Sequence, residues 1–305
     1  MALNTMFNTT KPKEQLLVIT GLVLVCLVVF SFLSIVGANI LFGVDLLKNP
    51  NVGIQLAKPE MISALKFMQI FQAIGVFIIP SILFLQFFKN KNENWIALSR
   101  VPSIYQIILI SICIICLSPT INFLAELNSK IPFPQWVYDS EEEALKITKA
   151  FLNMNTVWVL FINLFVVAIL PAIGEELLFR GVLQNVLKNI FNNYHFAVWI
   201  TAILFSAMHM QFLGFIPRML LGALFGYIYV WSGSLWICMI AHFINNGAAV
   251  LMGYFISINS LDASTENIGA NYQELWIVIV GLATSTFAVF SLKKSYNLVE
   301  TINEE

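Results

Sequence analysis

Long apolar runs, separated by short polar segments, dominate this chain. A helix that crosses a membrane needs about 20 mostly apolar residues, because the hydrocarbon core is about 30 Å thick and each residue rises about 1.5 Å. This rule predicts about eight spans, at residues 16–38, 63–88, 104–124, 157–188, 195–212, 216–232, 234–256 and 275–292. The pattern therefore predicts an all-α, polytopic membrane protein, a bundle of about eight transmembrane helices.

One connecting segment has helical features of its own. Residues 140–143 read SEEE and resemble a capping box before ALKITKAFL, and Glu142 and Lys146 have the spacing of an i, i+4 ion pair. Aromatic and proline residues precede them, as in an interfacial anchor. We predict a short helix at the membrane surface.

That helix separates three predicted regions. Residues 1–153 hold the first three spans and the interfacial helix, and residues 154–256 hold a helical core. Residues 257–305 hold an outer loop, the last span and the C-terminal tail.

Composition agrees with a membrane protein. Of the 305 residues, 59% are hydrophobic and 11% are charged, whereas soluble domains carry about 25% charged residues. The net charge of −1 gives no basic surface, so we expect no nucleic-acid partner. The four cysteines lie inside apolar runs, and the CxxC of Cys113 and Cys116 has no His nearby. We predict that they pack between helices.

The distribution of Lys and Arg among the loops predicts the orientation. With the N-terminus inside, the inner segments carry Lys11, Lys13, Lys89, Lys91, Arg100, Lys188, Lys293 and Lys294. The outer segments carry fewer, namely Lys48, Lys58, Lys130, Lys146, Lys149 and Arg218. The loop at 257–273 contains Asp262 and Glu266 but no Lys or Arg, which suits an outer loop. We predict cytoplasmic N- and C-termini in a membrane that the Phe-, Ile-, Asn- and Lys-rich composition identifies as bacterial.

Ionisable residues inside a span are costly, so they indicate functional positions. The fourth span contains PAIGEELLFRGVLQ, in which Arg180 follows Glu176 by four residues and can neutralise it. Glu175 lies about 100° around the helix and therefore points elsewhere. This span is too long to be one straight membrane helix, so we expect a break near Pro171.

Two further spans carry histidines. His209 follows Phe205 by one turn in FSAMHM, and AHFINNG puts His242 and Asn246 on one helix face. Measured from the same side of the membrane, Glu175, His209, Asn246 and His242 lie at heights of about 20, 21, 18 and 12 Å. These heights allow one polar cluster around a cavity inside the membrane. Each group alone is equally well explained by a helix–helix hydrogen bond.

Such a cluster suits the activation of water. A carboxylate with a neighbouring imidazole can take a proton from water, directly or through a metal ion. Glu175, His209 and His242 are also ligand types that zinc accepts, with a fourth position left for water. A His and an Asn amide can donate hydrogen bonds to an oxyanion. The residues leave open whether the cofactor is zinc or none.

The three motifs together resemble those of one protein family. EExxxR at 175–180, FxxxH at 205–209 and HxxxN at 242–246 resemble the CPBP family, the CAAX-protease and bacteriocin-processing intramembrane proteases, which include the prenyl-protein endopeptidases. The resemblance covers roughly residues 155–255. It implies a bundle of about eight helices around a water-accessible cavity.

The resemblance also implies roles. Glu175 would be the general base, His209 would help to hold the attacking water, and His242 with Asn246 would form the oxyanion hole. Glu176 and Arg180 would support the site structurally. The expected activity is a CAAX-type endopeptidase, glutamate- or metal-dependent, whose partners are the lipid bilayer and a membrane-associated or lipidated protein or peptide.

Other classes fit less well. No HExxH motif supports a zinc protease of the site-2 type, and Asp45, Asp139 and Asp262 fall in predicted loops, against an aspartyl protease. No serine has a GxSG setting. The remaining alternatives are a transporter and a non-catalytic bacteriocin-immunity or binding protein, which would use the same cluster without needing Glu175.

Overall fold

The computed structural model describes residues 10–48, 58–88 and 96–304, with side chains up to residue 296. Nine helices occur in these ranges: α1 Pro12–Phe42, α2 Pro59–Phe88, α3 Ile104–Ser129, α4 Gln135–Leu152, α5 Val157–Phe191, α6 Tyr194–Met208, α7 Phe215–Ser232, α8 Leu235–Ser257 and α9 Leu275–Glu304. The described residues contain no strand, so the all-α prediction is confirmed. The loop charges Lys89 and Lys91 lie outside the described residues.

Seven of the described helices, all but α4 and α6, are long and apolar enough to cross a membrane. The chain is thus a multi-pass membrane protein. Helix α6 has 15 residues, and the span predicted at 195–212 therefore ends earlier than expected, at Met208. The reason is local: Met210 adopts a left-handed φ of 54°, which ends the helix and turns the chain back towards α7.

Helix α5 runs through Pro171 without the predicted break, and this corrects the sequence interpretation. Residues Leu164–Ile169 and Leu177–Leu183 are π-helical, so one wide turn immediately precedes the proline. Pro171 has no N–H to donate to the Val167 carbonyl, and its ring would crowd that oxygen in a regular α-helix. The wide turn relieves this crowding, and the side chain of Asn246 donates to the Val167 oxygen at 3.1 Å instead.

Helix α4 also differs from its prediction. It begins at Gln135, so Ser140 lies inside the helix and the predicted capping box is wrong. The Ser140 hydroxyl donates to the Trp136 carbonyl one turn earlier, at 2.9 Å, as serines inside helices commonly do. The ion pair between Glu142 and Lys146 forms as predicted.

Helix α5 is the centre of the bundle because apolar clusters cover both of its sides. On one side Leu177 joins the largest cluster, built from α3, α7, α8 and α9, in which Cys113 and Cys238 are buried packing residues. On the other side Leu178 and Val182 pack against α1 and α2. Glu175, Glu176 and Arg180 of α5 are consequently held away from the surface of the molecule.

Candidate functional site

Glu176 is fixed by two partners. The guanidinium of Arg180 donates from Nη1 to Glu176 Oε1 at 2.8 Å, which is the contact that the four-residue spacing predicts. Nδ1 of His242, on α8, lies 2.8 Å from the same oxygen. Glu176 and Arg180 are both fully buried. Since an unpaired buried charge is very unfavourable, these contacts explain how α5 accommodates both charges.

Arg180 also joins α5 to α7. Its Nη2 donates to the Gly222 carbonyl at 2.8 Å, and its Cζ lies 4.9 Å from the ring centre of Phe205 and 5.6 Å from that of Phe225. Arg180 is thus held between two aromatic faces, where cation–π attraction adds to the hydrogen bonds.

One turn further along α5 the contact repeats. Gln184 donates to the Gly226 carbonyl at 3.1 Å. Arg180 and Gln184, four residues apart on α5, thus bind the carbonyls of Gly222 and Gly226, four residues apart on α7. A Cβ atom at Gly226 would lie 2.9 Å from Gln184 Oε1, which explains the glycine. Gln184, Gly222 and Gly226 were not among the predicted site residues. Two glycines at four-residue spacing in a membrane helix are nevertheless typical of a close helix contact.

Glu175 lies in a different environment. Its side chain is 8% exposed and makes no hydrogen bond to any described residue, and its Oε2 is buried. It lines a cavity of about 330 Å³ bounded by α2, α4 and α5, whose other lining residues include Gln69, Gln72, Phe77, Phe151 and Pro171. Glu175 is therefore a carboxylate with unused acceptor capacity at the wall of a cavity.

His242 lies between the two carboxylates. Because the Glu176 carboxylate paired with Arg180 accepts at Nδ1, that nitrogen carries a proton, and Nε2 is directed towards Glu175. His242 Nε2 lies 3.9 Å from Glu175 Oε2, too far for a hydrogen bond. Two atoms at this separation can both contact a single oxygen of a water molecule or a substrate.

His209 stands at the C-terminal end of α6 instead of inside a span. Its Nδ1 lies 2.8 Å from the Phe205 carbonyl, which can only accept, so Nδ1 is the donor and Nε2 keeps a free lone pair. The Phe205 ring centre is 5.1 Å from that of His209 and 6.0 Å from that of His242. Phe205 therefore packs against both imidazoles.

Asn246 contacts α5 but not Glu175. Its Nδ2 donates to Val167, two turns before Glu175, and its Oδ1 accepts from Asn245 at 3.1 Å. Of the predicted site residues, the structure thus brings Glu175, Glu176, Arg180 and His242 into one group. It leaves His209 and Asn246 at the edge of that group.

Arg218, treated above as an outer loop charge, lies close to the site. It is half-buried in the first turn of α7 and donates to the side chain of Gln211 at 2.8 Å. Its Nη1 also donates to the Gln211 carbonyl at 3.3 Å, in the loop that follows His209. Asn128 and Glu141 hydrogen-bond the backbone of the same α6–α7 loop, which fixes the chain beside His209.

The predicted zinc ligands are not assembled. Among the described residues no group of three or more His, Cys, Asp or Glu side chains is arranged to hold a metal ion. Nδ1 of His242 contacts Glu176 and Nδ1 of His209 contacts its own helix, so Nε2 is the nitrogen that either histidine has left for a metal ion. Because no three ligand groups of the described residues are grouped around one point, a metalloprotease assignment is not supported.

Comparison with known proteins identifies the core. Residues 156–248 match a family model described as type II CAAX prenyl endopeptidase Rce1-like. These residues are similar to the Rce1-like family, and the match contains all three motifs, which confirms the resemblance to the CPBP family.

One curated relative carries no further functional information. The chain is 32% identical over 128 residues to Uncharacterized protein YpbD of Bacillus subtilis (strain 168), a match that spans 41% of this chain and 59% of that protein. No solved structure matches the chain.

Proposed function

We propose that the chain is an intramembrane endopeptidase that hydrolyses a peptide bond of a membrane-associated or lipidated protein or peptide. The match to the Rce1-like family supports the reaction class. The observation that carries the proposal is the unpaired Glu175 carboxylate at a cavity wall, with His242 Nε2 at 3.9 Å from it. A purely structural carboxylate in an apolar bundle would have partners like those of Glu176.

In the proposed reaction Glu175 acts first as a base and then as an acid. Its carboxylate takes a proton from water while the water oxygen bonds to the carbonyl carbon of the substrate, whose oxygen becomes an oxyanion. The C–N bond then breaks, and the proton held by Glu175 passes to the departing nitrogen. Loss of such a base typically lowers a rate by about 10²–10⁴-fold.

The neighbouring groups orient and stabilise these steps. Glu176 holds the imidazole of His242 from behind, so that Nε2 and Glu175 can contact the same water molecule. His209 Nε2 is a second acceptor for that water. Asn246 uses one N–H on Val167, which leaves its other N–H to donate to the oxyanion.

The first test is cleavage by purified protein in detergent. A mixed library of membrane-anchored and lipidated peptides is incubated with the wild type, Glu175→Ala and His209→Ala, and products are identified by mass spectrometry. We expect cleavage by the wild type alone, with the three proteins melting alike. No cleavage by any of the three, all equally folded, contradicts the peptidase and favours the binding or transport alternatives.

The proposed mechanism uses no resident metal. The purified wild type should contain no stoichiometric zinc, and strong chelators should leave its activity unchanged. Activity that is lost on chelation and restored by zinc would contradict this part of the proposal and support the ligand set Glu175, His209 and His242.

We also propose that the protein lies in a bacterial cytoplasmic membrane with both termini in the cytoplasm. The distribution of loop charges supports a cytoplasmic N-terminus. Seven spans together with the shorter α6 form an even number of passes, which places the C-terminus on the same side. In a cysteine-free variant, a cysteine introduced at Ser260 should be labelled by an impermeant reagent in intact cells, whereas one introduced at Ser295 should be labelled only after the membrane is permeabilised. The reverse labelling contradicts the orientation.

A further inference from the structure

A groove of about 270 Å³ lies between α7 and α9, with α3 as its floor. It shares no lining residue with the cavity at Glu175, and the mechanism above uses none of its residues. Most of its lining side chains are apolar, among them Leu117, Leu224, Leu282, Val289 and Phe290. Because Leu282 and Phe290 are exposed, this α7–α9 groove opens on the lipid-facing side of the bundle.

The hydroxyl groups inside the groove already have partners. Ser285 Oγ donates to the Cys113 carbonyl on α3 at 2.9 Å. Thr286 Oγ1 donates to the Leu282 carbonyl one turn earlier, at 2.7 Å. Neither hydroxyl needs a polar ligand, so the length of the groove offers apolar surface. Such a surface favours a hydrocarbon chain over a polar molecule.

The groove has the length of one membrane leaflet. Leu282 and Lys293 are the first and the last residue of α9 that line it, and the eleven residues between these positions rise about 16 Å along a helix. Half of the hydrocarbon core of a bilayer is about 15 Å thick. A single acyl chain of one leaflet therefore matches the groove.

One end of the groove carries a positive charge. Lys293 is the first charged residue after the apolar run of α9, and its Nζ lies 4.8 Å from the ring centre of Trp231, a residue type that is enriched at membrane interfaces. None of the ion pairs formed by the described residues involves Lys293. The lining residues include no Asp or Glu. The ammonium at this end is thus available to an anion at the level of the lipid headgroups.

The aromatic face below this ammonium is fixed by other helices. Tyr227, one turn before Trp231 on α7, stacks on it with ring centres 5.5 Å apart and an angle of 23°. The Tyr227 hydroxyl lies 2.9 Å from Nδ1 of His195 on α6. Trp231 is therefore oriented by contacts from α6 and α7, and it places Lys293 at the end of the groove.

We propose that the α7–α9 groove binds an anionic phospholipid, with one acyl chain along the groove and the phosphate at Lys293. The lipid belongs to the leaflet at the C-terminal end of α9, which is the cytoplasmic leaflet in the orientation proposed above. Charge complementarity selects this occupant, since a phosphate forms charge-assisted hydrogen bonds with an ammonium, and basic sites between membrane helices bind anionic lipids. A zwitterionic lipid offers the same chain, but its own cation competes with Lys293. The inference does not depend on the proposed peptidase activity.

Native mass spectrometry of the purified protein measures lipid binding directly. Phosphatidylglycerol and phosphatidylcholine with identical acyl chains are titrated into the protein in detergent, and the affinity of each adduct is recorded. Glycerol 3-phosphate, which carries a phosphate but no chain, is the third probe. The variants are Lys293→Met and Thr286→Phe. Their controls are the exposed positions Lys294→Met and Ala283→Phe on the same helix, which do not line the groove.

We expect the wild type to bind one phosphatidylglycerol about fivefold more tightly than phosphatidylcholine, the difference that one lysine near an anionic headgroup supplies. Lys293→Met should abolish this preference, and Thr286→Phe, which fills the groove, should weaken both lipids. The two controls should bind like the wild type. Equal affinity of the wild type for both lipids, or a preference that survives Lys293→Met, overturns the inference. An equal loss in Lys294→Met also overturns it, because the attraction would then be diffuse.

Other occupants of the groove give different results. Glycerol 3-phosphate that binds as tightly as the lipid would show a site for a soluble anion and overturn the lipid site. A dimer that Thr286→Phe converts to a monomer would show that a second copy of the chain covers the groove, which overturns it equally. Because every readout is binding or mass, a protein without peptidase activity tests the inference in full.

Discussion

Two carboxylates on adjacent positions of α5 have opposite surroundings. Glu176 is fully buried and shares one oxygen between Arg180 and His242, each at 2.8 Å. Glu175 lines a cavity and has no hydrogen-bond partner among the described residues. A carboxylate already bound to two donors stabilises the contact between helices, whereas one without donors can accept a proton.

The difference arises from what each side of α5 contacts. The side of Glu176 meets α6, α7 and α8, where the Gly222 carbonyl and the rings of Phe205 and Phe225 surround the guanidinium of Arg180. The side of Glu175 meets α2, whose backbone is so close at Gly174 that an added Cβ would lie 3.0 Å from Phe77 Cβ. Glu175 thus lines a cavity, whereas Glu176 is fully buried among its partners.

The largest effect on stability should come from Arg180→Met. The substitution leaves the Glu176 charge buried without its cation and the Gly222 carbonyl without its donor, and breaking such a buried pair costs about 3–5 kcal/mol. Reversible unfolding in mixed detergents measures the change. The double variant Glu176→Gln with Arg180→Met should recover part of the lost unfolding free energy, because the uncompensated charge is gone. A change in unfolding free energy below about 0.5 kcal/mol in Arg180→Met alone would contradict the comparison.

Asn246→Ala separates a structural role from a catalytic one. Removing the amide should cost about 0.6–1.7 kcal/mol of stability through the lost bond to Val167, and about 10²–10³-fold in kcat through the lost oxyanion donor. Asn245→Ala is the matched control, since that amide contacts only its neighbour among the described residues. An Asn246→Ala enzyme with normal kcat would show that the residue only joins α8 to α5.

Gly226→Ala tests the close approach of α7 to the Glu176 side. The new methyl group would lie 2.9 Å from both Gln184 Oε1 and a methyl carbon of Val198, and such overpacking costs about 1–3 kcal/mol. Gly21→Ala, in the middle of α1 with nothing within 4 Å, should leave the unfolding free energy unchanged or raise it slightly. Equal stability of the two variants would contradict the close packing.

The smallest effect should come from Glu142→Gln, because its ion pair with Lys146 is solvent-exposed. The hydrogen bond and charge of Glu142 raise the pKa of Lys146 above its usual value of 10.5. A lysine pKa that is higher in the folded than in the unfolded state stabilises the folded protein at pH values below the unfolded pKa. This stabilisation is lost as the pH rises through the folded pKa. The contribution is thus present at neutral pH, but solvent screening makes it small, so Glu142→Gln should lower the melting temperature only slightly there. NMR titration of labelled lysine should show a lower Lys146 pKa in the variant.

The sequence predicted the helices and the identity of the polar residues well, because long apolar runs and in-span charges are strong local signals. Single-residue effects were predicted less well. The predicted start of α4 was wrong because the Ser140 hydroxyl donates to the Trp136 carbonyl one turn earlier and does not cap the helix. The predicted end of α6 was wrong because the left-handed conformation of Met210 has no distinctive sequence signal. The expected break at Pro171 is absent because the π-helical turn and the donor from Asn246 compensate for the proline.

The arrangement of the candidate site was only partly predictable for the same reason. The Glu176–Arg180 contact follows from spacing on one helix, and the structure contains it. The contact of Glu176 with His242 depends on how α5 and α8 pack, and no spacing within either helix determines it. The cavity that Glu175 lines is likewise formed by the packing of α2 and α4 against α5, and α2 and α4 lie outside the three motifs.

The most direct test compares Glu175→Gln with Glu176→Gln, measuring peptide cleavage and unfolding free energy in the same preparations. We expect Glu175→Gln to lose about 10²–10⁴-fold in rate with the unfolding free energy unchanged, since the side chain makes no hydrogen bond that the amide would lose. Glu176→Gln should be destabilised by about 1.5–3 kcal/mol through weakened bonds to Arg180 and His242. A Glu175→Gln protein that cleaves at nearly the wild-type rate would contradict the central claim.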